Sequence, residues 1–215
     1  MTQKYEGIIF DMDGVLVDSE EFYYQRRKAF LKEYDLSIEQ IPIPLFIGAD
    51  MRSLWETILQ VNDTIYSESF LSEKYHQYKI EHPIDYSDAI NPNAKRVLQF
   101  LKRKGYKIGL ASSSMMNAIQ DVLNVGQLTS YFDIIVSGSQ FKKSKPAPEI
   151  YEYTAQKLGL YPSSCLAIED SEKGIRSAHD AGLTVWALKD RHFGMNQELA
   201  DEQIESLSDV CKKLQ

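Results

Sequence analysis

From residue 93 onward, short apolar runs alternate with amphipathic segments of helical period, and this alternation constrains the fold more than any other feature of the chain. The apolar runs cover 106–111, 132–136, 165–168 and 183–188, the last clear strand; the helical segments cover 93–104, 115–125, 148–160, 172–181 and 206–214. An earlier run, 4–10, reads as the first strand. Runs without in–out alternation are buried on both faces, which is the mark of a parallel sheet covered by helices. Strands separated by helices of 10–15 residues imply right-handed βαβ crossovers. The expected class is therefore α/β, with a Rossmann-like parallel sheet. In such sheets ligands bind beyond the carboxyl ends of the strands, which makes the residue after each apolar run a candidate for function.

The pattern breaks between residues 18 and 85. Ser19-Glu-Glu opens a helix with an N-cap and an acidic first turn, running towards Tyr34. The segment 41–48 carries Pro42 and Pro44 and cannot continue a helix. Residues 52–61 and 69–80 then return to helical spacing, through Leu54, Ile58 and Val61 and through Phe70, Lys74 and Tyr78. This block holds no convincing strand, and its aromatic stripe reads as its own core. A small all-α domain over 18–85, inserted into a core domain formed by 1–17 and 86–215, is the economical organisation.

Composition sets the broad class. Hydrophobic residues at 43% and charged residues at 26% are ordinary values for a globular protein. A formal net charge of −7 argues against a general nucleic-acid surface, though not against an anionic substrate beside a local cation. Two cysteines, Cys165 and Cys211, make no disulfide framework, and Cys165 in its apolar run reads as a buried thiol. No stretch approaches the roughly 20 apolar residues of a membrane span. Lys4 and Glu6 interrupt any signal-like segment, so the chain reads as cytoplasmic, with monomer as the default state.

The first strand ends in Asp11 and Asp13, with Gly14 following where a chain leaving a buried strand must turn. Residues i and i+2 of a strand point the same way, so both carboxylates can face one pocket. Two close like charges are unfavourable unless a cation or a shared proton relieves them. Covalent phosphoryl transfer fits: one carboxylate attacks phosphorus, and the other moves the proton of the leaving group and of water. The second strand ends in Ser112-Ser113-Ser114 at a helix start, a ready anion site. Lys145 stands in Ser-Lys-Pro-Ala-Pro148 just before a helix. The strand 165–168 ends in Glu169-Asp170-Ser171, whose hard carboxylate oxygens suit Mg²⁺.

Taken together, Asp11-Met-Asp-Gly-Val-Leu-Val-Asp-Ser19, the Ser triplet, Lys145-Pro-Ala-Pro148 and Ile-Glu-Asp-Ser-x-x-Gly-Ile-x-x-Ala-x-x-Ala-Gly182 resemble the four motifs of the haloacid dehalogenase (HAD) superfamily, in family order. The resemblance spans about residues 4 to 188 and is loose in the insertion. It implies the HAD fold with a helical cap domain, Asp11 as nucleophile, Asp13 as general acid/base, Ser112 as phosphoryl ligand and Lys145 as the neutralising cation. It further implies Mg²⁺ held by Asp11, by Asp13 through its backbone carbonyl, by Asp170, and by Glu169 directly or through a second shell. The insertion resembles the cap of the subgroup that contains sugar-phosphate and phosphoglycolate phosphatases and β-phosphoglucomutase. Tyr23 and Arg52 in the cap, with Ser113, are then candidates for contact with a small phosphorylated metabolite. The chain departs from the mutase pattern at Tyr23, where that enzyme has a His, and at Met115, where it has a Lys. The expectation is therefore a phosphatase, with the mutase as alternative and a non-catalytic binding protein of the same fold as the reading from another class.

Overall fold

The computed structural model describes residues 4–46, 51–191 and 194–215, with no account of the side chains of Pro44, Met51, Arg52 and Ser53. The chain divides into two compact units, Ser19–Asp85 and the pair of segments Met1–Asp18 and Tyr86–Gln215.

The larger unit is built on a parallel sheet of six strands: β1 (Gly7–Phe10), β2 (Lys107–Ser112), β3 (Ile134–Ser137), β4 (Cys165–Glu169), β5 (Thr184–Leu188) and β6 (Glu202–Ile204). Their order is β3-β2-β1-β4-β5-β6, so the chain builds outwards from β1 on one side and then crosses to the other. That reversal beside β1 is a topological switch point, where strand ends leave a crevice. Register aligns the ends: Phe10 pairs with Leu110 on one flank and Ile168 on the other. Ile8, Ile9 and Phe10 are wholly buried, as an apolar run at the centre of a covered sheet must be. One core cluster joins Ile9, Ala111, Val136, Ala167 and Val185 of the sheet to helical residues including Ile150, Tyr151 and Ile175.

The smaller unit holds α1 (Glu20–Lys32), α2 (Met51–Val61) and α3 (Glu68–Glu81), inserted after β1. Its own core centres on Phe30, whose ring lies 5.0 Å from Tyr75, 5.3 Å from Tyr78 and 6.2 Å from Trp55. Tilted and edge-on aromatic pairs of this kind add specific geometry to apolar burial. The remaining helices, α4 (Ala94–Arg103), α5 (Met116–Val125), α6 (Glu149–Leu158), α7 (Glu172–Asp180) and α8 (Asp209–Lys213), belong to the sheet unit.

Four details differ from the sequence expectations. Thr184–Leu188 is not the last strand: β6 pairs in parallel with β5, but its Glu-Gln-Ile sequence is too short and polar to register as a periodic run. The first strand begins at Gly7 rather than residue 4. Ser19 precedes α1 without a side-chain capping bond, because its backbone is helical (φ −99°, ψ −14°). An Oγ reaches the first-turn amides from an extended backbone, as at Ser67 and Ser171, which do cap α3 and α7. On α3 the buried residues are Leu71 and Tyr75, while Lys74 is exposed. Among the described residues no helix is long and apolar enough to cross a membrane.

Candidate active site

Asp11 follows directly on β1, and its backbone N–H donates to the Ile168 carbonyl of β4 (3.0 Å), so the sheet ladder itself sets its position. Lys145 reaches the same place from the loop before α6. Its buried ammonium donates to Asp11 Oδ1 (2.6 Å), Glu169 Oε1 (2.7 Å) and the Ala111 carbonyl (3.0 Å). One cation thus links the ends of β1, β2 and β4. The loop brings it in through a cis Lys145–Pro146 bond.

Glu169 is fully buried, which a carboxylate tolerates only with its lone pairs occupied. Oε1 accepts from Lys145 and from the Tyr151 hydroxyl (2.7 Å). Oε2 accepts from the backbone N–H of Asp170 (3.1 Å) and from the Ser171 hydroxyl (3.3 Å). Space for this carboxylate comes from Gly174 on α7, since a β-carbon built there would overlap it. Gly14 does the same for Asp170: with φ at +82° it turns the chain after Asp13, and a β-carbon would overlap the Asp170 carboxylate.

Asp13 faces the second strand. Its Oδ2 accepts from the Ser114 hydroxyl (2.9 Å) and lies 3.4 Å from Ser112 Oγ. Ser112 Oγ in turn accepts from the Ser114 backbone N–H (3.1 Å), and Ser137 Oγ holds the Ser114 carbonyl (2.7 Å). Ser113 stands exposed between them.

Electrostatics match this layout. Burial, helped by the charges of Glu169 and Asp13 and opposed by Lys145, pushes the Asp11 carboxyl up to about 8. For Lys145 burial acts downward, yet Asp11 and Glu169 outweigh it and hold the ammonium charged. Burial and the adjoining Glu169 carboxylate raise Tyr151 well above the ordinary phenol range, so it remains a donor. Oxygens of Asp11, Glu169 and Asp170 lie within 4.8 Å of one another. An all-oxygen carboxylate cluster with one lysine beside it suits a hard divalent cation, whose charge would remove the penalty burial puts on Asp11. The glycine cradles at 14 and 174 fit the same conclusion, because they keep side-chain bulk away from the acidic groups.

Asp11, Asp13, Ser112, Glu169 and Asp170 at the strand ends, and Lys145 from the loop before α6, are thus connected through hydrogen bonds or carboxylate proximity. Tyr23 lies half-buried on α1 of the helical unit, with the Arg26 guanidinium 5.7 Å from its ring centre. Arg52 falls on α2, and its side chain lies outside the described residues. Met115 is 55% exposed at the start of α5. Three roles escaped sequence reasoning. Ser114 holds Asp13, Tyr151 holds Glu169, and Gln197 donates to the Asp170 carbonyl (2.5 Å). Ser114 carried a signal, as the third member of the triplet; Tyr151 and Gln197 carried none, since their partners are set by packing.

Residues 8–188 match the family described as "Haloacid dehalogenase-like hydrolase". The chain is 31% identical over 204 residues to a phosphorylated carbohydrates phosphatase of Thermotoga maritima, covering 91% of this chain and 88% of that protein. It is 30% identical over 184 residues to the β-phosphoglucomutase of Bacillus subtilis, covering 83% and 80%. The crystal structure of β-phosphoglucomutase from Clostridium difficile superposes with a TM-score of 0.79 at 26% identity, over 97% of this chain and 98% of that one. A match over most of the chain, on the sheet topology and motif residues described above, places it plainly: the chain belongs to the haloacid dehalogenase-like hydrolase family.

Proposed function

We propose that this HAD-superfamily phosphatase hydrolyses a small phosphorylated metabolite, a sugar phosphate in the first instance, through an aspartyl-phosphate formed on Asp11. The carrying observation is the buried Lys145–Asp11 pair at 2.6 Å, set at the end of the central strand among acidic groups. Asp11, Asp170 and the Asp13 carbonyl would hold Mg²⁺. Glu169, with its oxygens already taken by Lys145, Tyr151, Asp170 and Ser171, serves the site by fixing Lys145 rather than as a direct ligand. When bound, the ion supplies charge to the transferring phosphoryl group.

An Asp11 carboxylate oxygen attacks phosphorus in line, and the bond to the ester oxygen breaks. Asp13 gives its proton to that leaving oxygen. It then takes one from the water that attacks the aspartyl-phosphate, returning Asp11 and free phosphate. Lys145 offsets the charge gathering on Asp11 and the phosphoryl oxygens, and Ser112 orients those oxygens. The core domain (1–17 and 86–215) would carry this chemistry, and the cap domain (18–85) would select the substrate. The relatives' names support the choice of a phosphorylated carbohydrate.

A second reading, β-phosphoglucomutase, is favoured by the structural likeness at 26% identity. It is opposed by Met115 and Tyr23, which bring no charge where the resemblance to that enzyme expects a lysine and a histidine. The test is a panel of phosphate esters with Mg²⁺, including β-glucose 1-phosphate with a trace of glucose 1,6-bisphosphate. Free phosphate without glucose 6-phosphate is expected. Glucose 6-phosphate in excess over phosphate would replace the phosphatase reading with the mutase.

A further inference from the structure

The sheet ladder fixes β4 only as far as Glu169, which pairs with Ala187 of β5. Asp170 lies one residue beyond the strand, so its peptide groups need partners of another kind. On one side its own N–H donates to Glu169 Oε2 (3.1 Å). On the other, Gln197 donates from Nε2 to the Asp170 carbonyl (2.5 Å). Backbone is thereby held on both sides of the Asp170 α-carbon, while the absence of a side chain at Gly14 leaves room for the carboxylate.

Gln197 comes from the segment between β5 and β6 and is only 6% exposed. Its Nε2 also donates to the Leu188 carbonyl at the end of β5 (2.8 Å). Its Oε1 accepts from the Asp190 N–H (3.2 Å) and from Gln203 Nε2 of β6 (3.4 Å). Both donors and both acceptor positions of the amide are therefore in use. One side chain joins the ends of β4, β5 and β6, where no ladder does. The segment that carries it is braced as well, since Asp190 Oδ2 accepts from the Met195 N–H (2.6 Å) and the Gln197 carbonyl from the Ala200 N–H (3.1 Å).

We propose that Gln197 is a positioning residue for the divalent cation: by holding the Asp170 carbonyl it fixes where the Asp170 carboxylate points, and so sets the affinity of the acidic cluster. The proposal rests on the Mg²⁺ reading above. A ligand already held in its bound direction loses less freedom when the ion arrives, and groups that orient a metal-binding carboxylate contribute to affinity in this way.

The experiment is calorimetric titration of the full chain with Mg²⁺, without substrate, in wild type, Gln197→Met, Gln197→Asn and Val210→Ala. Gln197→Met keeps the length of the side chain and removes every hydrogen bond. Gln197→Asn keeps an amide one methylene too short to span Asp170 and Asp190, and it decides the matter should Gln197→Met fail to fold. Both should weaken Mg²⁺ binding about 10-fold or more, the usual effect of losing a group that orients a metal ligand. Val210 is buried on α8, which packs against α4, so its variant should lose stability and keep the wild-type affinity. In steady-state assays the Gln197 variants should need correspondingly more Mg²⁺ for half-maximal turnover and recover most of their kcat at saturation. Wild-type affinity in the Gln197 variants, or a loss of kcat that saturating Mg²⁺ does not restore, would overturn the proposal. Equal weakening in Val210→Ala would overturn it too, by tracing the effect to stability alone. A wild-type chain that binds no Mg²⁺ would remove the metal reading itself and this proposal with it, an outcome distinct from wild-type affinity in the variants.

Discussion

Gly174 on α7 and Glu169 at the end of β4 share one volume: any β-carbon at 174 would occupy the place of the Glu169 carboxylate. A helix residue thereby decides whether a strand-end acid can reach Lys145. Gly174→Ala should displace Glu169 and loosen Lys145, lowering kcat at least about 10-fold and stability by about 1–3 kcal/mol, the usual scale of overpacking. Steady-state kinetics and denaturant unfolding check this together. Wild-type values in both would show that Glu169 has freedom to move aside.

Asp11→Asn keeps the shape of the side chain and removes the nucleophile. Turnover of p-nitrophenyl phosphate with Mg²⁺ should fall by about 10⁴-fold or more, the order seen when a covalent catalytic group is removed. BeF₃⁻ should add to the wild-type Asp11 carboxylate, read by ¹⁹F NMR, and not to the variant. Equal turnover in the two proteins would exclude covalent catalysis by Asp11.

The Ser114 hydroxyl holds Asp13 at 2.9 Å, so its loss should show in proton transfer rather than in phosphoryl binding. Ser114→Ala is expected to lower kcat about 10-fold for alkyl phosphates, whose leaving oxygen needs a proton, and far less for p-nitrophenyl phosphate. A uniform loss across leaving groups would instead assign Ser114 to the phosphoryl oxygens.

Chelation tests the acidic cluster. Treatment with EDTA should abolish hydrolysis, and Mg²⁺ should restore it and raise the midpoint of thermal unfolding as its concentration exceeds Kd. An Asp170→Asn variant should lose most of that thermal response. Hydrolysis indifferent to EDTA would leave the cluster without a metal role.

Asp133 joins β2 to α4, accepting from the Ile108 N–H (2.7 Å) and from Lys102 (2.6 Å). Burial tends to raise its carboxyl, but the Lys102 and Ile108 hydrogen bonds outweigh it and hold the group below 3.8. A folded-state value lower than the unfolded one contributes stability that is present above the unfolded value and lost as pH falls through the folded one. The pair is partly exposed, so the gain is modest. Asp133→Asn should lower Tm by about 2–4 °C at pH 7, and the gap should close as pH falls below 3.8. A gap that persists in acid would trace instead to altered packing.

Asp11, Ser112, Glu169 and Asp170 could be picked out in the chain alone because each lies at or just beyond the end of an apolar run, and a parallel sheet places such positions along one edge. The helical insertion could be read for a similar reason, since its spacing changed from strand-like to helical at Ser19. Periodicity was weaker where neighbours make the difference. β6 is a strand only because β5 offers its edge, and α3 turns Leu71 and Tyr75 inward, leaving Lys74 outside, because Phe30 and Trp55 lie on that side. Local sequence therefore determined which groups sit at the strand ends. Tertiary structure alone decided what each one touches: Tyr151 on Glu169, Ser114 on Asp13, Gln197 on Asp170 and Arg27 over Phe46. A strand or helix announces itself through its own period, whereas a hydrogen bond between distant segments follows from how whole elements pack, and no local pattern records it.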